Sequence, residues 1–240
     1  MGCKFCASTL GGLVRNLSSG EILAQVQLIN ALHAEGAKRG VTNIVLMGSG
    51  EPLDNYDNVV AFLRGVSFEG GLNISPRNIS LSTCGLVPNI LKLSNEGLPV
   101  NLTISLHEVT DAGRQRTMPI AKKYPIAEIL NACEIYFQKT GRRYIFEYAL
   151  IAGENCDLPH AEGLIKLLRG KPCHVNLIRL NEVKERQLDG ADEKQAQAFL
   201  KVLLSGGLSA TLRRRMGADI GGACGQLRAS HLNANNDKKE

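Results

Sequence analysis

Short runs of apolar and β-branched residues recur along the chain and predict six strands. They cover residues 43–48, 78–83, 100–106, 144–150, 174–178 and 208–212. Longer stretches with helical periodicity fill most of the intervals between them. Strands that alternate with helices in this way match βαβ units of about 30 residues or more, which join parallel strands. The pattern therefore predicts an α/β fold with a mainly parallel sheet.

Three helices are well marked by the sequence. The first begins after Ser18, which forms a capping box with Glu21. Its apolar stripe consists of Ile22, Val26, Ile29 and His33. A second helix begins near Pro125, and a third covers about residues 193–204. We expect the stripe of the first helix to face the sheet, because an apolar stripe needs a partner surface.

The composition is that of one globular domain. The chain has 240 residues, of which 44% are hydrophobic and 21% charged, and this excludes a disordered or collagen-like protein. No linker or repeat divides residues 1–231, which we expect to form one domain, and residues 232–240 have the composition of a polar, disordered tail. A net charge of +5 permits a polyanionic partner without requiring one.

Cysteine usage and hydropathy indicate the cellular compartment. The seven cysteines are odd in number and lack the spacing of a secreted disulfide framework, so we expect reduced thiols and a cytoplasmic protein. No apolar run reaches the roughly 18–20 residues that cross a membrane, and no signal peptide opens the chain. We therefore expect neither membrane insertion nor export.

A C-x-x-C motif at Cys3 and Cys6 is the first candidate for chemistry. Such a pair can be half of a zinc site, a thioredoxin-like redox pair or part of an iron–sulfur loop. A zinc site would need two further ligands, and the sequence has no second C-x-x-C and no H-x-x-x-H. A redox pair would be expected at a helix N-terminus, whereas a long glycine-containing loop follows here. The spacing alone leaves all three interpretations open.

Glycine and polar residues follow several of the predicted strands. Gly50 and Glu51 come after the first strand, where glycine lets a ligand approach the backbone and a carboxylate can pair with an ammonium group. Further polar residues at strand ends are Ser82, Ser105, His107 and Asn181. Ligands bind at the carboxyl ends of strands in α/β folds, so these residues predict a rim that holds a polar small molecule. Each also has an ordinary structural interpretation as a turn, a cap or a hydrogen-bonded histidine.

Cys224 lies in a glycine-rich loop near the C-terminus, beyond Arg213, Arg214 and Arg215. A loop thiol is accessible, and nearby arginines can lower its pKa or neutralise phosphates. A solvated basic strand end beside an incidental thiol accounts for the same residues. Other arginines add positive charge near strand ends, at positions 114, 116, 142 and 143. The remaining cysteines are interpreted as structural or surface thiols, at positions 84, 133, 156 and 173.

Taken together and in order, these motifs closely resemble the radical S-adenosylmethionine methyltransferases of the RlmN type. The matching stretches are residues 3–9, Gly12, residues 15–17, residues 48–52 with Asn55, residues 105–107 and residues 223–227. The resemblance implies a partial (β/α)6 radical SAM barrel that lacks its first strand, because the match begins in the loop that follows that strand. It also implies a [4Fe–4S] cluster and S-adenosylmethionine as cofactors.

The resemblance implies a role for each site residue. Cys3 and Cys6 would be two of the three thiolates of a C-x-x-x-C-x-x-C loop that binds the cluster and leaves one iron open for S-adenosylmethionine. Gly50 and Glu51 would meet the methionine ammonium group. The rest of the cofactor would be contacted by Ser82, Ser105, Leu106, His107 and Asn181. Cys224 would be the catalytic methyl carrier, an S-methylcysteine intermediate from which a 5′-deoxyadenosyl radical removes hydrogen.

The implied substrate is carbon 2 of an adenosine in 23S rRNA, and of tRNA as well. An electron-donor protein would be a further partner, and we expect a monomer. Two alternatives stay open: the related carbon 8 methyltransferase of the antibiotic-resistance type, and a catalytically inactive RNA-binding remnant. The family's first cluster cysteine, accessory domain, resolving cysteine and general base all precede the matching region. We therefore expect this polypeptide to be an N-terminally truncated portion that is inactive alone.

Overall fold

A computed structural model describes residues 1–6, 9, 12–36, 38–180 and 188–214. Six strands form one sheet: β1 (Ile44–Leu46), β2 (Ile79–Thr83), β3 (Asn101–Ser105), β4 (Tyr144–Leu150), β5 (Cys173–Arg179) and β6 (Ala210–Leu212). The strands lie in sequence order, and every neighbouring pair is parallel. The six predicted strands and the α/β class are confirmed. All carboxyl ends therefore lie at one edge of the sheet.

Seven α-helices accompany the strands in the described part of the chain. They are α1 (Ser19–His33), α2 (Tyr56–Val66), α3 (Val87–Leu93), α4 (Asp111–Thr117), α5 (Ile126–Thr140), α6 (Leu158–Leu168) and α7 (Glu193–Ser205). The helices predicted near Pro125 and residue 193 are confirmed as α5 and α7. Asp192 forms a capping box with Gln195 at the start of α7, and Gly141 ends α5 in the left-handed conformation. In the regions the structure describes, no helix combines the length and apolarity needed to cross a bilayer.

The two faces of the sheet differ in polarity. One face packs under the helices and is fully buried and apolar, as at Leu81, Ile104, Phe146 and Val175. The strand register then places a polar row on the opposite face: Ser105 pairs with Glu147, Glu147 with Asn176, and Asn176 with Thr211. Side chains alternate between faces along a strand, so the apolar core and this polar row follow from one sequence pattern. The core fixes the sheet, and the polar face is left for a site.

The prediction that the apolar stripe of α1 faces the sheet is wrong. The helix packs beside α2, and none of its residues is buried. Ile22 and Val26 reach the edge of the core, but Ile29 is 47% exposed. The neighbouring edge strand β1 is also partly open, with Val45 59% exposed. Amphipathic spacing predicted the helix correctly but could not determine how deeply it packs.

Candidate functional site

A glycine-bearing loop follows β1 and connects to the loop after β2. Gly48 and Gly50 have φ values of +80° and +145°, which favour glycine over residues with a Cβ atom. Oε2 of Glu51 accepts a hydrogen bond from the Cys84 amide at 2.7 Å, and Oε1 accepts one from the Leu53 amide at 3.0 Å. Burial raises the pKa of Glu51, while these backbone donors oppose the shift. The Glu51 carboxylate thus joins two loops. That it also pairs with an ammonium group stays a prediction, for which its oxygens have lone pairs left.

A fully buried arginine holds the ends of β2 and β3 together. The Nη2 atom of Arg114 donates to the carbonyl oxygens of Cys84 at 2.6 Å and of Ser105 at 3.2 Å, and its Nε donates to that of Leu106 at 3.3 Å. Among the described residues, Arg114 has no ion pair with a carboxylate. Burial lowers the pKa of its guanidinium. Arg114 does lie at strand ends, as the sequence predicts, but its charge is buried among carbonyl oxygens inside the edge of the sheet.

Two other arginines assigned to strand ends lie at the opposite edge of the sheet. Arg142 and Arg143 come just before β4, at its amino end. Arg142 bonds to the side chain of Asn101, and Arg143 donates to the carbonyl oxygen of Cys173 at 2.6 Å. They are therefore separated from the carboxyl-edge loops by the length of the strands.

His107 follows β3 in an unusual conformation that two partners hold. Its φ is +57°, in the left-handed region that few residues other than glycine adopt. Its Nδ1 accepts a hydrogen bond from the Ala149 amide at 2.9 Å, and its carbonyl oxygen accepts one from Nδ2 of Asn155 at 2.8 Å. Burial, followed by the charge of Arg114, lowers the pKa of His107 to about 3. The ring is therefore neutral, and with Nδ1 acting as an acceptor its proton lies on Nε2.

Asn155 is a site residue that the sequence did not reveal. Besides the His107 carbonyl, its amide donates to the Ala149 carbonyl oxygen at 2.8 Å, and its Oδ1 accepts from the Ile151 amide at 2.8 Å. Its own carbonyl oxygen accepts from the Tyr148 hydroxyl at 3.0 Å. The signal available in the sequence was a polar residue in the turn after β4. That position could equally have been a solvated loop.

The C-x-x-C loop lies against the same edge of the sheet. The Lys4 amide donates to the carbonyl oxygen of Thr117 at 2.9 Å, which fixes the loop to the end of α4. The Phe5 ring packs edge-on against the His107 ring with centroids 4.8 Å apart. The Cys6 amide donates to the Cys3 carbonyl oxygen at 3.2 Å, so the two cysteines share one turn. The motif is thereby brought to the predicted rim.

The two thiols fit part of a cluster site. Neither cysteine is in a disulfide, and burial, then the neighbouring Cys6, raises the pKa of Cys3 to about 11, so iron would have to displace its proton. No group of three His, Cys, Asp or Glu side chains able to hold a metal occurs in the described ranges. Two thiolates therefore match two positions of the three-thiolate set that the resemblance implies, and the described residues do not form a four-ligand zinc site.

The predicted cofactor contacts have different surroundings. Ser82 and Ser105 are half-buried on the polar face of the sheet, near Glu147, which the sequence reasoning had not singled out. The Leu106 side chain is fully buried in the core, so only its backbone could meet a ligand. Cys84 was interpreted as a structural or surface thiol, and its backbone also connects two predicted parts of the site: Glu51 and Arg114 both bond to it. Two further predicted site residues, Asn181 and Cys224, lie outside the described residues.

Comparison with known proteins agrees with this arrangement. Residues 1–160 match the family model described as the radical SAM superfamily. The chain is 54% identical over 232 residues, which is 97% of its length, to a protein of Clostridium perfringens named "Probable dual-specificity RNA methyltransferase RlmN". It is 50% identical over its whole length to the protein of that name in Clostridium botulinum strain Alaska E43. It covers 66% and 68% of these two relatives, or about two thirds of their lengths.

A solved structure supports the same relationship. The crystal structure of a radical SAM methyltransferase from Sphaerobacter thermophilus superposes with a TM-score of 0.90 and 43% sequence identity. The match covers 94% of this chain and 66% of that one. Similarity therefore extends through the whole sheet as well as the cysteine loop. The chain belongs to the radical SAM superfamily and, within it, to the RlmN-type methyltransferases.

Proposed function

We propose that this chain is the barrel portion of a radical S-adenosylmethionine enzyme that methylates carbon 2 of adenosine in 23S rRNA and in tRNA. The observation that carries the proposal is the 50–54% identity to relatives named dual-specificity RNA methyltransferases, over nearly the whole chain. The arrangement at the carboxyl edge supports it, because the C-x-x-C loop, Glu51 and His107 meet where α/β folds bind ligands.

The residues at the carboxyl edge of the sheet would have separate roles. The thiolates of Cys3 and Cys6 would bind the cluster together with a ligand from outside the described residues. When bound, the cluster supplies the electron for reductive cleavage of S-adenosylmethionine, after an electron-donor protein has reduced it. Ser82 and Ser105 would bind the cofactor by their hydroxyl groups. Neutral His107 would donate through Nε2, because its Nδ1 already accepts from the Ala149 amide.

Cys224 would carry the methyl group to the RNA. A thiol can accept a methyl group from S-adenosylmethionine by ordinary displacement, whereas carbon 2 of adenine is not nucleophilic and requires radical chemistry. The net charge of +5 is compatible with an RNA partner, since Lys and Arg residues can neutralise phosphates. Basic charge by itself would equally suit any polyanion, so the choice of RNA depends on the relatives.

Replacement of the matching segment in a relative tests the proposal. The 232 matching residues of this chain would replace their counterpart in the Clostridium perfringens protein, and the hybrid would be expressed in cells that lack the endogenous methyltransferase. We expect 2-methyladenosine in digested 23S rRNA and tRNA by mass spectrometry. The C224A hybrid should give none, while a hybrid with C156S, at a half-buried thiol, should remain active. A folded, cluster-loaded hybrid that leaves both RNAs unmethylated would contradict the proposal.

The same digest separates the alternatives. 8-Methyladenosine in place of 2-methyladenosine would identify the carbon 8 enzyme. Salt-sensitive RNA binding without any methylated base, and without iron in the protein, would identify an inactive remnant. The intact mass of the hybrid adds an independent readout, because a methylated Cys224 adds one methylene group, about 14 Da, and requires a working cofactor site.

A further inference from the structure

Glu147 is a buried carboxylate on the polar face of the sheet. It occupies the middle of β4 and is 6% exposed. Its side chain points away from the helices, because its neighbours Phe146 and Tyr148 are the residues of β4 that pack into the core. The register pairs it with Ser105 on β3 and with Asn176 on β5. The carboxylate thus lies at the same level as the predicted cofactor contact Ser105.

One oxygen of this carboxylate has no partner. Oε2 accepts a long hydrogen bond of 3.4 Å from the Ser82 hydroxyl. Oε1 is buried, and in the described part of the chain it has no hydrogen-bond partner. Buried polar atoms are nearly always hydrogen-bonded, and leaving a carboxylate oxygen unpaired is costly. An oxygen in this state indicates a donor that is present when the protein functions.

The charges around Glu147 limit what that donor can be. No Lys, Arg or His of the described residues lies within ion-pair distance of it. Burial raises the pKa of Glu147. The more distant guanidinium of Arg213 lowers it, and so do the polar side chains of Ser82 and Asn176. Glu147 belongs to no group of three His, Cys, Asp or Glu side chains able to hold a metal in the described ranges, so a metal ion is not favoured. Because Arg213 already offsets part of the charge, a neutral hydroxyl donor suits this position.

We propose that Glu147 is a cofactor-binding residue whose free oxygen accepts a hydrogen bond from a ribose hydroxyl of the adenosyl group. This inference depends on the proposed function, because the adenosyl cofactor is the ligand that Ser82 on β2 and Ser105 on β3 would contact beside Glu147. The carboxylate would recognise the nucleoside part of the cofactor. It would make no direct contribution to the radical step, so its effect should appear in binding.

Binding of S-adenosylhomocysteine to the purified hybrid described above, reconstituted with iron and sulfide and measured by calorimetry, tests the assignment. Glu147→Gln keeps the shape of the side chain but removes its charge, and we expect it to weaken binding about 10- to 100-fold, the range for a hydrogen bond to a charged group. Glu162→Gln, at an exposed position of α6, is the matched control and should leave the affinity unchanged. Thermal melting would confirm that each variant is folded.

Ligand analogues give a second readout that does not depend on how well a variant folds. The unsubstituted hybrid should bind S-adenosylhomocysteine that lacks one ribose hydroxyl, either 2′ or 3′, about 10- to 100-fold more weakly. For that analogue, Glu147→Gln should cause no further loss, because the hydroxyl that Glu147 would bind is already absent. This loss of additivity would identify the hydroxyl concerned.

The possible failures have different meanings. If the hybrid binds S-adenosylhomocysteine but its Glu147→Gln variant binds it equally well, the assignment is overturned while the proposed function stands. If the substitution weakens binding of an adenosine-containing RNA oligonucleotide and leaves the cofactor affinity unchanged, the carboxylate serves the RNA ribose and the assignment is again overturned. If the folded hybrid without further substitutions, reconstituted with iron and sulfide, binds no adenosyl ligand, the proposed function fails as well.

Discussion

The guanidinium of Arg114 donates a 2.6 Å hydrogen bond to the carbonyl oxygen of Cys84, although the two residues belong to different βα units. Because the same side chain also bonds to carbonyl oxygens at the end of β3, it holds two strand ends in a fixed relationship. Glu51 bonds to the amide of the same Cys84. Both the amide and the carbonyl group of Cys84 are therefore hydrogen-bonded by side chains, at the edge of the sheet where a ligand would bind.

Replacement of Arg114 should be strongly destabilising. Arg114→Met leaves several buried carbonyl oxygens without their donor, and we expect a loss of about 2–4 kcal/mol in the free energy of unfolding. Arg116→Met, at an exposed side chain of the same helix, should cost less than about 0.5 kcal/mol. Urea denaturation measures both. Equal effects of the two substitutions would show that the buried network contributes nothing.

His107 should make stability depend on pH. Its pKa of about 3 in the folded chain is below the unfolded value of about 6.5, so below pH 6.5 the unfolded chain takes up a proton that the folded chain does not. Stability from this group is therefore present above pH 6.5 and lost as the pH falls. Between pH 7.5 and 5.5 the loss should be about 1.4 kcal/mol.

A substitution isolates this contribution. Asparagine tolerates positive φ, so His107→Asn should remove the pH-dependent loss relative to wild type without forbidding the backbone conformation. His33→Asn, at an exposed position at the end of α1, should retain the wild-type profile. Urea denaturation at the two pH values gives the comparison. A wild-type slope in the His107 variant would disprove the assignment of the pH dependence to this ring.

Asn155 should be required to hold His107 in place. Asn155→Ala removes the donor to the His107 carbonyl and leaves the Ile151 amide unpaired, and we expect a loss of about 2–4 kcal/mol in stability. Asn95→Ala, at an exposed site whose side chain donates to a carbonyl oxygen of α3 and accepts from Lys139, should cost about 1 kcal/mol or less. The chemical shifts of the His107 ring would report whether the imidazole has moved. An unshifted ring in a folded variant would contradict a positioning role.

Gly85 should resist substitution for two separable reasons. Its φ is +97°, and a Cβ atom there would lie 2.7 Å from Cδ1 of Ile129. We expect Gly85→Ala to cost about 2–4 kcal/mol, the sum of backbone strain and overpacking. Gly97→Ala isolates the backbone part, about 1 kcal/mol, since its φ is +68° and nothing lies near the added atom. Ile129→Val, which removes Cδ1, should partly rescue Gly85→Ala, and a double-mutant cycle measures the rescue.

The cysteine loop should bind iron through its two thiols. In the hybrid, after anaerobic reconstitution with iron and sulfide, Cys3→Ser and Cys6→Ser should each lose most of the iron that the unsubstituted hybrid retains. Cys156→Ser, at a half-buried thiol that the proposal does not use, should retain it. Iron and sulfide analysis gives the readout. Retention of wild-type iron by both loop variants would exclude the loop as the cluster site.

The order of the strands, and their alternation with helices, was determined by the sequence alone. Apolar periodicity located all six strands as well as α5 and α7, because burial of one sheet face and one helix stripe leaves a local pattern. The motifs also predicted a site at this edge, since a C-x-x-C loop and a glycine-rich loop with its glutamate are short local signals. The family could be inferred in the same way, from the order of those motifs.

Only the tertiary structure determined the contacts that join distant segments of the chain. Three such contacts depend on which strands become neighbours. Arg114 is buried among carbonyl oxygens, Asn155 holds His107, and Glu147 lies beside the predicted cofactor contact Ser105. The same residue types at the same positions could have been solvated, because local periodicity does not say what covers a side chain. The misjudged depth of α1 has the same origin. Burial of an individual polar group is a property of the packed chain, and it determines which carboxylate has an oxygen left for a ligand.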